Sequence, residues 1–230
     1  MNKEYKVGAI IVAAGSGLRF GERKQFKKLG RKPLYLYSLQ KFIDCNLIDE
    51  IVLVVPKDLQ NTISNEARKL NSRINVVEGG KLRQDSVLAG IEGLSENCDI
   101  VCIHDSARPF ISIDLIKTTI RACENSDGAV VAIPSNDTVK EIDTDNNRIK
   151  RTIPRETIWL AQTPQTFHRK NLMKALLYAR DNEIKVTDEA TLMESLEQKI
   201  VVVKGSSDNF KITTSNDWKL AELMVERNYD

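Results

Sequence analysis

Residues 7–26 read VGAIIVAAGSGLRFGERKQF, an apolar run that breaks into small residues and glycines and then presents Arg19 and Lys24. A buried strand feeding a glycine-rich loop, with cations just beyond it, is built to hold phosphates. Glycines let backbone N–H groups approach an anion closely, and a helix following the loop would add its positive end. Arg19 and Lys24 could then neutralise charge that builds up during a reaction. The loop is not a Walker loop, which needs Gly-Lys followed by Ser or Thr. Nor is it a GxGxxG dinucleotide fingerprint, because no third glycine falls in place. It suggests a nucleotide, but not the usual two kinds.

Working outward, six more short runs rich in Val and Ile follow: EIVLVVP, INVVEG, DIVCIHDSA, GAVVAIP, TIWLAQTP and KIVVVKG. Most are separated by segments with helical spacing. Pro33 suits the first turn of a helix before Leu34, Tyr37 and Phe42. Val87, Leu88, Ile91 and Leu94 form an apolar stripe after a helix start at Asp85 and Ser86, and Ile113, Ile116, Ile120 and Cys123 form another. Strand and helix in alternation predict a mostly parallel sheet covered on both faces, with ligands at the carboxyl ends of the strands. One segment breaks the rhythm. TVKEIDTDNNRIKRTIPR (138–155) alternates weakly, is heavily charged and has an Asp-Asn-Asn turn at its centre, so it reads as a projecting hairpin. An isolated hairpin is marginal in water, and a second copy of the chain is the economical surface for it to pack on.

With 230 residues the chain can bury a sizeable core, and no interdomain linker is visible. Its 34 basic and 32 acidic side chains nearly cancel, so no general attraction to nucleic acid is expected and any basic site must be local. The first residues mimic a signal peptide, but a charged loop follows the apolar run at once, which favours the strand. No apolar stretch reaches the ~20 residues needed to span a bilayer, so no membrane partner is expected. Cys45, Cys98, Cys102 and Cys123 are scattered with no CxxC pair, as suits buried free thiols in a reducing cytoplasm.

Further constellations carry chemistry. The run DIVCIHDSARPF ends a strand in Asp105, with Arg108 just after it. A carboxylate there can hold Mg²⁺ beside nucleotide phosphates or simply cap a helix, and the phosphate loop favours the metal role. In EGGKLRQDSVLAG, Gly79 and Gly80 turn the chain, and Ser86 could read a base edge. Thr187 and Asp188 read as a helix start, and Lys211 lies in an alternating segment where it is either functional or a solvated strand lysine. Arg19, Lys24, Arg108, Arg155 and Lys211 set against Asp105 make a phosphate-handling inventory. Neither His104 nor His168 sits in a triad-like motif, as an acyl hydrolase would require.

In order along the chain, AAGSGLR, KQF, EGG with a following DSVLAG, HDSARPF, NDTVK, LAQTPQTF, TDEA and DNFKIT closely resemble the 2-C-methyl-D-erythritol 4-phosphate cytidylyltransferase family. The likeness covers essentially the whole chain. It implies an α/β, Rossmann-like three-layer nucleotidyltransferase fold, with a mostly parallel twisted sheet, helices on both faces and a projecting β-hairpin dimer arm. It implies one domain over 1–230 with the arm at 136–157. It also implies a cytoplasmic homodimer with a shared active site, using Mg²⁺ or another divalent cation to join CTP to methylerythritol phosphate in non-mevalonate isoprenoid synthesis.

Carried over residue by residue, the resemblance gives Arg19 and Lys24 the pentacoordinate α-phosphate. Ala13, Ala14, Gly15, Ser16 and Gly17 would wrap the nucleotide, and Gly80 and Ser86 would read cytosine. Asp105 would bind CTP, hold the metal and, with Arg108, Thr138 and Thr187, meet the polyol phosphate. Arg155 and Lys211 would aim the attacking phosphate, Arg155 in the partner's site. Two departures stand out: Arg23 precedes Lys24 where proline is common, and Lys81 follows the Gly-Gly pair where an acidic residue is frequent. A ribitol 5-phosphate cytidylyltransferase and a noncatalytic CTP-binding module are the competing readings. A dinucleotide-dependent oxidoreductase is disfavoured by the missing glycine.

Overall fold

The computed structural model describes residues 5–18 and 20–227. The seven apolar runs all become strands of one sheet: β1 (Val7–Val12), β4 (Glu50–Val55), β5 (Ile74–Glu78), β6 (Ile100–Asp105), β7 (Gly128–Pro134), β10 (Trp159–His168) and β11 (Ile200–Lys204). Two two-residue strands, β2 (Lys28–Leu29) and β3 (Lys32–Pro33), form a small hairpin, and β8 (Val139–Ile142) pairs with β9 (Ile149–Ile153). Seven helices accompany them among the described residues: α1 (Leu34–Asp44), α2 (Gln60–Leu70), α3 (Arg83–Glu92), α4 (Ile113–Glu124), α5 (Arg169–Asp181), α6 (Glu189–Ser195) and α7 (Ser215–Arg227).

The sheet order is β11-β7-β10-β6-β1-β4-β5. Its pairings are parallel except on either side of β10, which runs antiparallel to both β6 and β7. Successive side chains on a strand face opposite sides, and β1 shows the result. Ala9 and Ile11 enter a core beneath α1, α2 and α4, while Ile10 enters a second core beneath α3, α5 and α6. That is the three-layer arrangement expected. A third, smaller cluster fastens α7, through Trp218, Ala221 and Val225, to Leu29 and Leu34.

Helix α3 starts at Arg83, two residues before the expected Asp85. The Asp85 carboxylate accepts from the Leu82 N–H at 3.0 Å, so it caps the helix from inside its first turn. The predicted hairpin is present as β8 and β9, nearly all of it exposed. Its neck is closed where the Ser135 N–H donates to the Ile158 carbonyl at 2.9 Å. All four cysteines are free and buried. Among the described residues no helix is long and apolar enough to cross a membrane.

Candidate active site

At the carboxyl ends of β1 and β6 lies a basin of about 580 Å³, within the range of small-molecule sites. Its walls include Ala13, Ala14, Gly15, Ser16 and Gly17 from the loop after β1, and Lys24 from the short turn beyond it. Gly80 and Ser86 come from the start of α3, Asp105 from the tip of β6, and Lys211 from the segment before α7. Arg19 lies outside the described residues.

Backbone geometry fixes the glycine loop. Gly17 has φ +72°, and a Cβ there would lie 1.8 Å from the Glu22 carbonyl oxygen. Its own carbonyl accepts from the Phe20 and Gly21 amides at 2.9 and 3.0 Å, which draws both back onto Gly17 as a closed turn. Gly80 is equally constrained, since a Cβ would stand 2.3 Å from the Asp85 Cβ.

Two neighbours hold the Lys24 turn in place, Gln25, to which the sequence reading gave no role, and Arg23, which it marked as a departure. The buried Gln25 side chain donates from Nε2 to the Ala13 carbonyl at 2.8 Å and to the Gly15 carbonyl at 2.5 Å, stitching the lysine turn to the glycine loop. Arg23, which stands where proline is common, pairs through Nη1 with both oxygens of Asp58 at 2.7 and 2.9 Å. Lys24 Nζ also sits 5.5 Å from the centre of the Phe20 ring, which in turn packs on Trp218.

Asp105 is the electrostatic centre of the basin. One of its oxygens accepts from Arg83 Nε at 3.2 Å and the other from Lys211 Nζ at 2.7 Å. Burial works against its ionisation, but Arg83, Lys211 and Arg108 outweigh burial and hold the carboxyl far below the usual carboxylate range. Arg83, a further residue missed in the sequence, also grips the buried Glu189 at the start of α6, with Nη1 2.6 Å from Oε1. Burial pushes the Glu189 carboxyl up, against the pull of this guanidinium.

Behind Asp105 a short relay sets its backbone. His104 is fully buried, and burial pushes its pKa down to about 4, so its ring is neutral. Its Nε2 lies 3.1 Å from the Arg108 carbonyl, which can only accept, and this puts the ring proton on Nε2. Nδ1 therefore accepts from the Thr163 hydroxyl at 3.0 Å, and that hydroxyl accepts from the Asp105 N–H at 3.1 Å. A histidine so committed is a structural strut, not a general base.

Four of the expected residues lie away from the basin lining. Arg108 donates from Nη1 to the Asn209 carbonyl at 2.8 Å. Thr187 is exposed just ahead of α6, and Thr138 is exposed at the base of the hairpin. Arg155 is exposed too, its Nη1 3.3 Å from the Asn136 carbonyl. The chain thus brings the glycine loop, Lys24, Gly80, Ser86, Asp105 and Lys211 to one basin and leaves Thr138 and Arg155 at the hairpin.

Comparison with known proteins supplies the rest. The family model described as "IspD: 2-C-methyl-D-erythritol 4-phosphate cytidylyltransferase" matches residues 7–227. A curated protein of that name from Dictyoglomus thermophilum is 39% identical over 215 residues, covering 92% of this chain and 93% of its own length. One from Clostridioides difficile is 39% identical over 220 residues, covering 94% and 92%. Among solved structures, 4-diphosphocytidyl-2C-methyl-D-erythritol synthase from Anaerococcus prevotii superposes with a TM-score of 0.88 at 34% identity, covering 97% of each chain. The cytidylyltransferase from Thermus thermophilus gives a TM-score of 0.80 at 31% identity, covering 96% of this chain and 99% of that one.

Proposed function

Because the chain belongs to the 2-C-methyl-D-erythritol 4-phosphate cytidylyltransferase family, we propose that the basin between the β1 and β6 loops is where its two phosphorylated substrates meet. The enzyme transfers CMP from CTP to 2-C-methyl-D-erythritol 4-phosphate, forming 4-diphosphocytidyl-2-C-methyl-D-erythritol and pyrophosphate. An oxygen of the methylerythritol phosphate attacks the CTP α-phosphorus. The new P–O bond forms as the bond to the bridging oxygen breaks, and that electron pair leaves with pyrophosphate. The second pKa of a phosphate is about 6, so the nucleophile is already largely dianionic and no protein base is needed. Catalysis then rests on holding two anions together and neutralising the transition state.

The observation that carries this reading is that Lys24 and Lys211 line one basin with the glycine loop and Asp105. The amides of 15–17 cradle the triphosphate, and Lys24, with Arg19, stabilises charge on the α-phosphoryl group. Ser86 donates its hydroxyl proton to the Leu82 carbonyl at 3.2 Å, which leaves its lone pairs to accept from the cytosine amine, with the Gly80 backbone beside it. Asp105 serves the nucleotide and, with Arg108, Thr138 and Thr187, the polyol, while Lys211 and Arg155 aim the attacking phosphate.

The lining suits a magnesium ion held mainly by the triphosphate. It offers Asp105 as a carboxylate, and Mg²⁺ commonly takes one or two carboxylates together with substrate phosphates. Such an ion would supply charge neutralisation on the phosphates. A homodimer is supported by the apolar residues Ile142, Ile149, Trp159 and Leu160, exposed on the hairpin and at its base, which a second copy would cover. In that dimer Arg155 serves the partner's basin. Buried free thiols accord with a cytoplasmic setting.

The test is pyrophosphate release from CTP and Mg²⁺ with methylerythritol 4-phosphate or, separately, ribitol 5-phosphate. Release with the first alone is expected. Release with the second alone, or with neither, would overturn the reading.

A further inference from the structure

Asp105 and Glu189 are the buried carboxylates among the described residues, and one guanidinium serves both. Arg83 touches Asp105 with Nε and Glu189 with Nη1, while the second Asp105 oxygen takes Lys211 Nζ at 2.7 Å. The result is a line of alternating charge, Glu189, Arg83, Asp105, Lys211, whose members come from α6, α3, β6 and the segment before α7. Its two ends differ in exposure: the side chain of Glu189 is 1% exposed and that of Lys211 34%, with Arg83 at 24% and Asp105 at 12% between them. The buried end is fixed and the open end faces the basin.

This polarity has a physical consequence. When Lys211 takes up the incoming phosphate with another of its three N–H donors, its charge is shared between that phosphate and Asp105. A buried carboxylate that loses its cation is costly unless another cation stays with it. Arg83 can stay, because Glu189 anchors its other side. Arginine's planar fork can face two carboxylates at once, whereas the point charge of a lysine cannot bridge them in the same fixed geometry.

Resting on the function proposed above, we propose that Arg83 is a positioning residue for cytidylyl transfer. Anchored by Glu189, it fixes the Asp105 carboxylate so that Lys211 is presented to the attacking phosphate and can share its charge with it. The arrangement also ties α6, and with it Thr187 just upstream, to the floor of the nucleotide basin.

The primary variant is the paired Arg83→Gln/Glu189→Gln, which removes the bridge without stranding Glu189 and leaves Lys211 on Asp105. It is compared with Arg83→Lys, each made in the wild-type and Asp105→Asn/Lys211→Ala backgrounds, the second of which has no carboxylate left to strand. CTP dissociation constants are measured at equilibrium, and kcat and KM for methylerythritol 4-phosphate at saturating CTP. The paired variant should lose about 10–100-fold in kcat while its CTP affinity changes less than about threefold. Arg83→Lys should recover only part of that loss. In the Asp105→Asn/Lys211→Ala background the same paired change should lower kcat by less than about threefold, because residues acting through one another are not additive.

An equal loss in both backgrounds would overturn the proposal, as would wild-type kcat in the paired variant, which would make the bridge merely structural. Parallel loss of CTP affinity and kcat would make Arg83 a nucleotide ligand instead. Should the paired variant not fold, Arg83→Lys carries the same two-background comparison. Failure of the wild-type enzyme to release pyrophosphate would refute the proposed function itself, whereas each outcome above presupposes an active wild type.

Discussion

The side-chain amide of Gln25 donates to the backbone carbonyl of Ala13 across 2.8 Å, so the residue next to Lys24 is fastened to the end of β1. The same amide reaches the Gly15 carbonyl, and both acceptors belong to the glycine loop. The backbone of Lys24 is therefore held beside the basin by its neighbour.

Replacing Gln25 with Leu should leave two loop carbonyls without their donor, at roughly 1–3 kcal/mol for each buried group left unsatisfied. Turnover is expected to fall about tenfold or more, with a lowered unfolding midpoint. Steady-state kinetics and thermal melts check this, and wild-type values of both would show that the stitch is dispensable.

Gly17→Ala meets two obstacles together, a positive φ and a Cβ placed on the Glu22 carbonyl. The left-handed backbone alone costs about 1–2 kcal/mol for an ordinary residue. CTP affinity should drop more than about tenfold while the rest of the fold survives, since the loop is at the surface. Isothermal titration with CTP decides it; unchanged affinity would mean that the closed turn is not the binding form.

Lys24→Ala should reduce kcat by about 10²–10³-fold, as removal of a transition-state charge stabiliser does, with a much smaller effect on CTP binding. Equal losses in kcat and affinity would place the ammonium on the ground-state nucleotide.

Arg23 and Asp58 form an exposed pair, weak and further weakened by salt. Arg23→Ala is expected to lower turnover no more than about fivefold at low ionic strength, and the gap should close near 1 M salt. A gap that persists at high salt would assign Arg23 a role other than this tether.

His104 supplies a pH dependence whose sign follows from burial. Its folded pKa, about 4, lies below the unfolded value, so the unfolded chain binds the extra proton first as pH falls. The stabilising contribution is complete above pH ~6.5 and is lost progressively toward pH 4, by about 3 kcal/mol at most. In nucleotide- and metal-free protein, the stability advantage of wild type over His104→Asn should therefore narrow between pH 6.5 and 4.5. A constant difference would show that the ring is not held neutral.

All seven sheet strands were legible because each is a Val- and Ile-rich run bounded by turn residues, and β1 declared the glycine loop by breaking off into small residues. The direction of β10 was not legible, since TIWLAQTP has the same apolar character whichever way it runs. Asp85 was read correctly as a helix-start residue, but capping from inside the first turn put the true start at Arg83. The basin's cations and glycines announced themselves by residue type. Arg83, Gln25 and Glu189 did not, because what marks them is the partner each meets in space, and Glu189 lies 106 positions from Arg83. An exposed arginine and a buried one look alike in a sequence.

The reversed strand β10 has a consequence for how this scaffold can vary. Chain leaving β7 at Pro134 re-enters at Trp159, its direct partner across the ladder, so both ends of the intervening segment open on the same rim as Asp105. Whatever is inserted there is displayed beside the basin without crossing the sheet or disturbing either core. Loop-closure entropy grows only slowly with length, by about 0.6 kcal/mol per doubling. The rim is thus a slot into which segments of different length and chemistry can be grafted, while the loops after β1 and before α3 stay as they are.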